Sequence, residues 1–451
     1  MRKWKQLATT AVALVALGTG AALASDAAQK FQADYLAGKL SWDQVLAAAK
    51  AEGKIQFYYW GGDDKLNVWI DRVVTPALAK DGVQVVANRI TGTKDAVDLV
   101  IAEANAGRGI GDGSVDAIWL NGENFYTLNR QNLMFGAFAQ TIPNAKNFEW
   151  DASDPRSLLN LRDFGVETGS KEVPWSGEQY VCAANRDLLP ADKTPHTFAE
   201  LKTYLEANPG KFTYVKPPHY IGNTFVQEAM YAFNPDGNGA VPFQKSAQEL
   251  GPDEIARLIK PGMEYLKGLE PLLAGGQDGK ARHPETPDAT KAMFRNGEIT
   301  INCQFGLYAV ATSRADGSYP QAAEEIIFPE KTMIKNKNYL AIPANAPNPA
   351  AALVFANYMA SVDSQVSKLK NIGYPAGIDS WKLSDADAKA LEEAAPQHFG
   401  VTQADLDANI APDTNASLVD IIEATWLEYI ERGSTEPIEA IVKTAYDNLT
   451  K

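Results

Sequence analysis

The chain is short of the residues that build most catalytic and metal sites. Its four histidines, His196, His219, His283 and His398, are scattered over 451 residues. No two sit at zinc spacing and there is no H-E-x-x-H. Ser176 stands in W-S-G-E, not in the G-x-S-x-G of a nucleophile elbow. No nucleophile, base and orienting group can be assembled from the remainder, so neither an enzyme, a cofactor nor a metal ion is expected. A phosphate loop is missing as well. The glycine-rich stretch 107–113 follows a helix-like segment and precedes a strand-like one, the reverse of the order that aims backbone N–H groups at phosphate. N-P-D-G-N-G at 234–239 lacks the ligand spacing and closing Glu of a calcium loop. Positive charge is scarce too. The formal charge of −14 argues against nucleic acid or an anionic membrane surface as partner, and leaves cationic small molecules open. Beyond the first residues there is no continuous apolar run of about twenty.

What is present starts with M-R-K-W-K, an apolar stretch from Leu7 to about Leu17, and Ala22-Leu23-Ala24. This has the form of a secretory signal peptide over 1–24, with cleavage expected after Ala24. The next residue, Ser25, offers no cysteine for lipid attachment. Losing Arg2, Lys3 and Lys5 without any acid takes the charge from −14 to −17. In an oxidising compartment the two cysteines, Cys182 and Cys303, permit one disulfide or two buried thiols. Both lie in short apolar strand-like segments that could share a sheet, which favours the bridge.

The stretch Lys54–Asp64, K-I-Q-F-Y-Y-W-G-G-D-D, reads as a strand covered on both faces and ending in two glycines. It is preceded by a capping-box helix from Ser41 and followed by a helix over about 66–80. Val83–Val86 is a second strand, 91–106 a helix, and Val115–Leu120 a third strand. This β-α-β-α-β order predicts a doubly wound α/β unit, in which ligands bind at the carboxyl ends of strands. From Val173 the pattern changes to strands at Tyr180–Ala184, Glu298–Asn302 and Tyr339–Pro343 with helices between, then mainly helix to Lys451.

Aromatic residues paired with amides or acids gather at the predicted strand and loop ends. The first strand supplies Trp60, Gly61 and Gly62, and the third Trp119 followed by Asn121, Glu123 and Asn124. Trp175 and Gln179 follow Val173, Tyr220 and Asn223 lie in a later loop, and Phe305 follows Asn302. Any one aromatic suits packing; the set together suits a mostly apolar cleft with a few orienting polar groups.

In order along the chain, K-I-Q-F-Y-Y-W (54–60), D-G-V-Q-V (81–85), G-D-G-S-V-D-A-I-W (111–119), V-P-W (173–175), V-C-A-A-N-R-D-L-L (181–189), M-F-R-N-G-E-I-T-I-N (293–302) and Y-L-A-I-P (339–343) resemble the solute-binding proteins of ABC importers, type II, extracellular family 1. The entry into Gly53-Lys54-Ile55 and the strand-end W-G-G are most similar to a YnjB-type branch. The resemblance implies a two-lobed periplasmic-binding-protein fold, each lobe a doubly wound sheet flanked by helices, with the ligand clamped between. The first lobe would hold 26–172 and the returning segment 331–451, and the second lobe 173–330. It implies a periplasmic monomer whose partners are a small-molecule ligand and membrane permease subunits. It also places Cys182 and Cys303 on strands of the second lobe, strengthening the bridge. The iron-binding branch uses adjacent tyrosines in the second lobe, which this chain lacks. The expected ligand is cationic or zwitterionic, thiamine- or polyamine-like. It would stack on Trp60, Trp119, Trp175, Tyr220 and Phe305, with Glu123 and Asp63 balancing charge. The competing expectations are a sugar, an anion such as a phosphonate held by N–H groups at Gly222-Asn223-Thr224, and an exported hydrolase.

Overall fold

Tyr58 and Tyr59 are neighbours in sequence and opposites in space, because successive side chains of a strand point to opposite faces. Strand β1 (Lys54–Trp60) buries Ile55, Phe57 and Tyr59 completely. Its other face, with Gln56 and Tyr58, is half-buried rather than sealed. Tyr59 enters the core with Trp69 and Phe355, while Tyr58 packs against the cluster of Val97 and Ile118. The computed structural model describes residues 25–328 and 330–449; the expected leader and its cleavage site lie outside them. None of the described helices is long and apolar enough to cross a membrane.

Strands β2 (Gln84–Ile90) and β3 (Ala117–Leu120) flank β1 in parallel, with Lys54 opposite Gln84 and Phe57 opposite Ala117. A small hairpin of β4 (Arg162–Asp163) and β5 (Val166–Glu167) follows. Then β6 (Glu172–Asn185) and β9 (Met333–Ala341) run antiparallel to each other through both lobes. In the first lobe β9 pairs with β3, setting Leu340 opposite Trp119. In the second, β6 pairs with β7 (Ile301–Phe305) and β8 (Ala323–Ile326), and β10 (Ile410–Ala411) joins β9. The sheet order is β2-β1-β3-β9-β6-β7. The β6–β9 register slips between Pro174 and Ser176, an irregularity of the kind that bends a strand. Gly177 lies just beyond, where an added Cβ would come 2.9 Å from the Ala376 carbonyl oxygen.

Each lobe has its own core. The first gathers Phe57, Trp69, Leu353, Phe355 and Leu369; the second gathers Phe198, Phe225, Ile259 and Leu266. One expectation is corrected here. The segment 331–451 does not return wholly to the first lobe, since Leu418, Ile421, Ile422, Trp426, Ile438 and Val442 belong to the second core. The Trp426 indole donates to the Tyr214 hydroxyl there at 3.0 Å. Helices Ala416–Trp426 and Ile438–Leu449 pack on each other and on helix Ala247–Leu269, not on the first sheet, while Ala416 and Val419 turn toward Phe164 and Tyr126 of the first lobe.

Cys182 and Cys303 stand directly opposite each other on β6 and β7 and are bonded. The bridge closes a loop of 121 residues, which restricts the unfolded chain. Replacing both cysteines by serine is expected to lower unfolding free energy by about 2–5 kcal/mol, read as a lower urea midpoint. An unchanged midpoint would show that sheet pairing alone holds the second lobe.

Candidate functional site

One wall of a candidate cleft between the lobes starts where β1 ends. Trp60 is 36% exposed, and an added Cβ at Gly62 would fall 2.4 Å from its ring. The indole can fold back over the chain only because position 62 has no side chain. The turn is held from behind: Asn67 Nδ2 donates to the Gly61 carbonyl at 2.8 Å, and the Tyr59 hydroxyl donates to Asn67 Oδ1 at 2.9 Å. Trp60 meets Trp119 edge to face at 6.3 Å between centroids, and Trp119 meets Trp175 likewise at 5.0 Å. This is the arrangement that ring quadrupoles favour.

The facing wall comes from the second lobe. Tyr220 opens helix Tyr220–Ala232 and stacks on Phe305 at 4.8 Å with 14° between planes. Tyr220 is 40% exposed, yet protein surrounds its hydroxyl closely enough that burial, then Glu178, Asp413 and Glu123, push its pKa well up. A side chain both open to water and ringed by protein lines a cleft.

Acids ring the same space. Glu123 begins helix Glu123–Arg130, directly after Gly122, whose N–H donates to buried Asp163 at 2.6 Å. Burial raises the Glu123 pKa, and Asp420 raises it further. Glu423 accepts from Asn223 Nδ2 at 2.8 Å. Burial, then Asp420 and Glu123, push it up to about 8. Asp413 is also pushed up to about 8, by burial and by Glu123 against the Asn336 hydrogen bond. At the floor, Glu178 on β6 accepts from the Leu307 N–H at 3.1 Å and is raised by burial to about 7, with Lys368 pulling it down. Tyr374 completes the floor, donating to Asp63 at 2.9 Å. Carboxylates crowded this way favour protonation until a positive charge joins them.

The structure thus brings together Trp60, Gly61, Gly62, Trp119, Glu123, Tyr220 and Phe305, with Asn121 and Asn124 beside them. Asn121 Nδ2 donates to Asn338 of β9 at 3.3 Å. Other expectations are corrected. Trp175 is 1% exposed; its carbonyl takes hydrogen bonds from Gln365 and Lys368, so it backs Trp119 instead of meeting a guest. Gln179 is fully buried and donates to the Leu406 carbonyl; its neighbour Glu178 faces the cleft. Asn223 is buried and acts through Glu423. Asp63 is spent capping Lys65 and Leu66 and accepting from Tyr374. The N–H groups that an anion would need are taken: Ile221 donates to the His219 ring, and Gly222 and Asn223 to the His219 carbonyl.

Asp420, Glu423, Glu178 and Tyr374 were missed by sequence reasoning. The acids at i and i+3 on Ala416–Trp426 were a signal, interrupting an otherwise apolar run. Two surface depressions of about 410 and 370 Å³ lie elsewhere, around Val68 and Asn371 and around Trp150 and Lys382. Neither joins exposed rings to unpaired acids.

Residues 73–397 match the model of a family described as bacterial extracellular solute-binding protein. The chain is 33% identical over 390 residues to Protein YnjB of Escherichia coli (strain K12), covering 86% of this chain and 93% of that one. Its fold is similar to that of the spermidine/putrescine ABC transporter substrate-binding protein PotD from Streptococcus pneumoniae. That likeness has TM-score 0.54 and 12% identity, over 88% of this chain and 99% of the other. It is similar also to a sugar transporter from Rhizobium etli in an open conformation, with TM-score 0.56 and 14% identity over 87% and 99%.

Proposed function

This chain belongs to the bacterial extracellular solute-binding family and is the substrate-binding component of an ABC transporter, and from that premise we propose that its cargo is a small organic cation or zwitterion, thiamine- or polyamine-like. A protein of this kind works outside the cytoplasmic membrane, taking a small molecule between its lobes and delivering it to the permease. We propose further that it does so as a monomer. The fold neighbours include a polyamine protein and a sugar protein, so ligand class rests with the side chains of the cleft.

One observation carries the reading. Glu123 and Glu423 face the same space beside exposed aromatic rings, and burial and other acids, with no basic side chain, raise their pKa values. An amine placed there gains carboxylate partners and, over Trp60, Trp119 or Tyr220, cation–π attraction. A sugar would use the rings and leave the acids unpaired. An anion would meet repulsion.

Binding should therefore depend on pH. Glu423 and Asp413 near 8 and Glu178 near 7 are partly protonated in the empty protein at neutral pH. A cation selects the ionised forms, so affinity is expected to rise from pH 6 to 8.5, with protons released on capture. The empty fold is expected to show the opposite trend. Glu423, Asp413 and Glu178 hold protons in the native state that they lose when unfolded, so their contribution to unfolding free energy falls as pH rises from about 4.5 to 8. Calorimetry of putrescine and thiamine in two buffers of different ionisation enthalpy checks both the affinity and the proton count. Binding of a neutral sugar or phosphonate, with no affinity for either amine, contradicts the reading.

A further inference from the structure

The two lobes meet along rims of opposite charge, and the space between the rims carries like charges. On one rim Lys65, just past β1, reaches Asp316 of helix Ala309–Asp316 at 2.6 Å. On the other, Asp420 projects from the second-lobe helix Ala416–Trp426; burial raises its pKa, and Arg130 and Lys94 of the first lobe offset that rise only in part. Between them stand Glu123 on the first lobe and Glu423, three residues beyond Asp420. The helices that carry them, Glu123–Arg130 and Ala416–Trp426, pack against each other across the lobes, and Glu123 raises the pKa of Glu423, Asp413, Asp163 and Tyr220. Asn223, buried beneath, fixes the Glu423 carboxylate through its Nδ2.

We propose that Glu123 and Glu423 form a charge interlock, in which their mutual repulsion opposes lobe closure in the empty protein and a positive charge held between them releases it. The pair thereby determines specificity, deciding which solutes close the cleft; in that respect the proposal rests on the cation reading above. The magnitudes favour the centre over the rim. Lys65 and Asp316 are 47% and 39% exposed, so their attraction is weak and screened by salt. Glu123 and Glu423 are shielded by protein, where charges act more strongly. Arg130 and Lys94 face Asp420, and Lys368 faces Glu178 at the floor; none of the three relieves Glu423.

The interlock can be tested without any ligand. Small-angle X-ray scattering of the ligand-free mature protein, at pH 8.5 and pH 6, compares the wild type with E123Q, E423Q and the exposed-site control E436Q. At pH 8.5 both cleft variants are expected to contract while the wild type and E436Q remain open; at pH 6 the wild type contracts and the cleft variants change little. Two variants guard against one that fails to fold, with circular dichroism as the check. Unchanged dimensions in E123Q and E423Q at both pH values overturn the interlock. If the wild type nevertheless binds putrescine by calorimetry, the cation reading stands and only the interlock falls.

Discussion

Glu423→Gln is expected to weaken putrescine binding by about thirtyfold or more while leaving the protein folded. Glutamine keeps the shape and still presents an oxygen to Asn223 Nδ2, so the hydrogen bond at 2.8 Å can persist; what disappears is the charge. Removing one member of a buried, hydrogen-bonded charge pair costs about 2–5 kcal/mol, and each 1.4 kcal/mol is tenfold in affinity. The empty protein should meanwhile become more stable at pH 8. There the native carboxyl group, pushed up to about 8 by burial, Asp420 and Glu123, is about half ionised, and its anion stands in an unfavourable place. A cleft acid thus loses binding and gains stability when neutralised, a combination that a structural acid would not show. The two readouts are a calorimetric Kd and a urea midpoint. Retained affinity would remove Glu423 from the site.

Trp60→Ala is expected to cost about 2 kcal/mol or more of binding, again about thirtyfold, as a central tryptophan commonly does. The loss combines ring contact with cation–π attraction. At 36% exposure the indole contributes little to the core, so unfolding free energy should fall by only about 1 kcal/mol. Trp175→Ala makes the contrast. Its ring is 1% exposed, and its removal should cost about 3–5 kcal/mol of stability. Binding and unfolding measured on both variants separate the tryptophan that meets the guest from the one that supports it. If Trp60→Ala binds putrescine as tightly as the wild type, Trp60 is a packing residue and the cleft wall lies elsewhere.

Much of this arrangement was legible because strand order fixes strand ends. The β-α-β-α-β alternation puts the ends of β1 and β3 side by side, so Trp60, Trp119 and Glu123 could be placed together without coordinates. Strand periodicity also separated Tyr58 from Tyr59. It was not available for β6, a long strand buried almost throughout whose register slips between Pro174 and Ser176. Gln179 was chosen there, but it is buried like Trp175, whereas its neighbour Glu178 is the one partly open position of β6. Asn223 was read both as an amide facing the ligand and through its N–H; the His219 carbonyl takes that N–H, and the buried side chain acts through Glu423. Glu423 was out of reach for a different reason. An amphipathic pattern shows that a helix has a buried face, not which lobe buries it, and Ala416–Trp426 packs on the second core after the chain has revisited the first.

Selection of positive charge by the cleft is what sets this reading apart from a sugar or anion site. A thermal-shift series on the mature protein tests it most directly, comparing amines such as putrescine and thiamine with uncharged molecules of similar size, a neutral sugar and a phosphonate. At a hundred times its dissociation constant a true ligand adds about 2.7 kcal/mol of stability. An amine is expected to give that shift at pH 8 and a smaller one at pH 6, and the uncharged and anionic compounds are expected to give none. A shift from the sugar or phosphonate, with none from any amine at either pH, would contradict it.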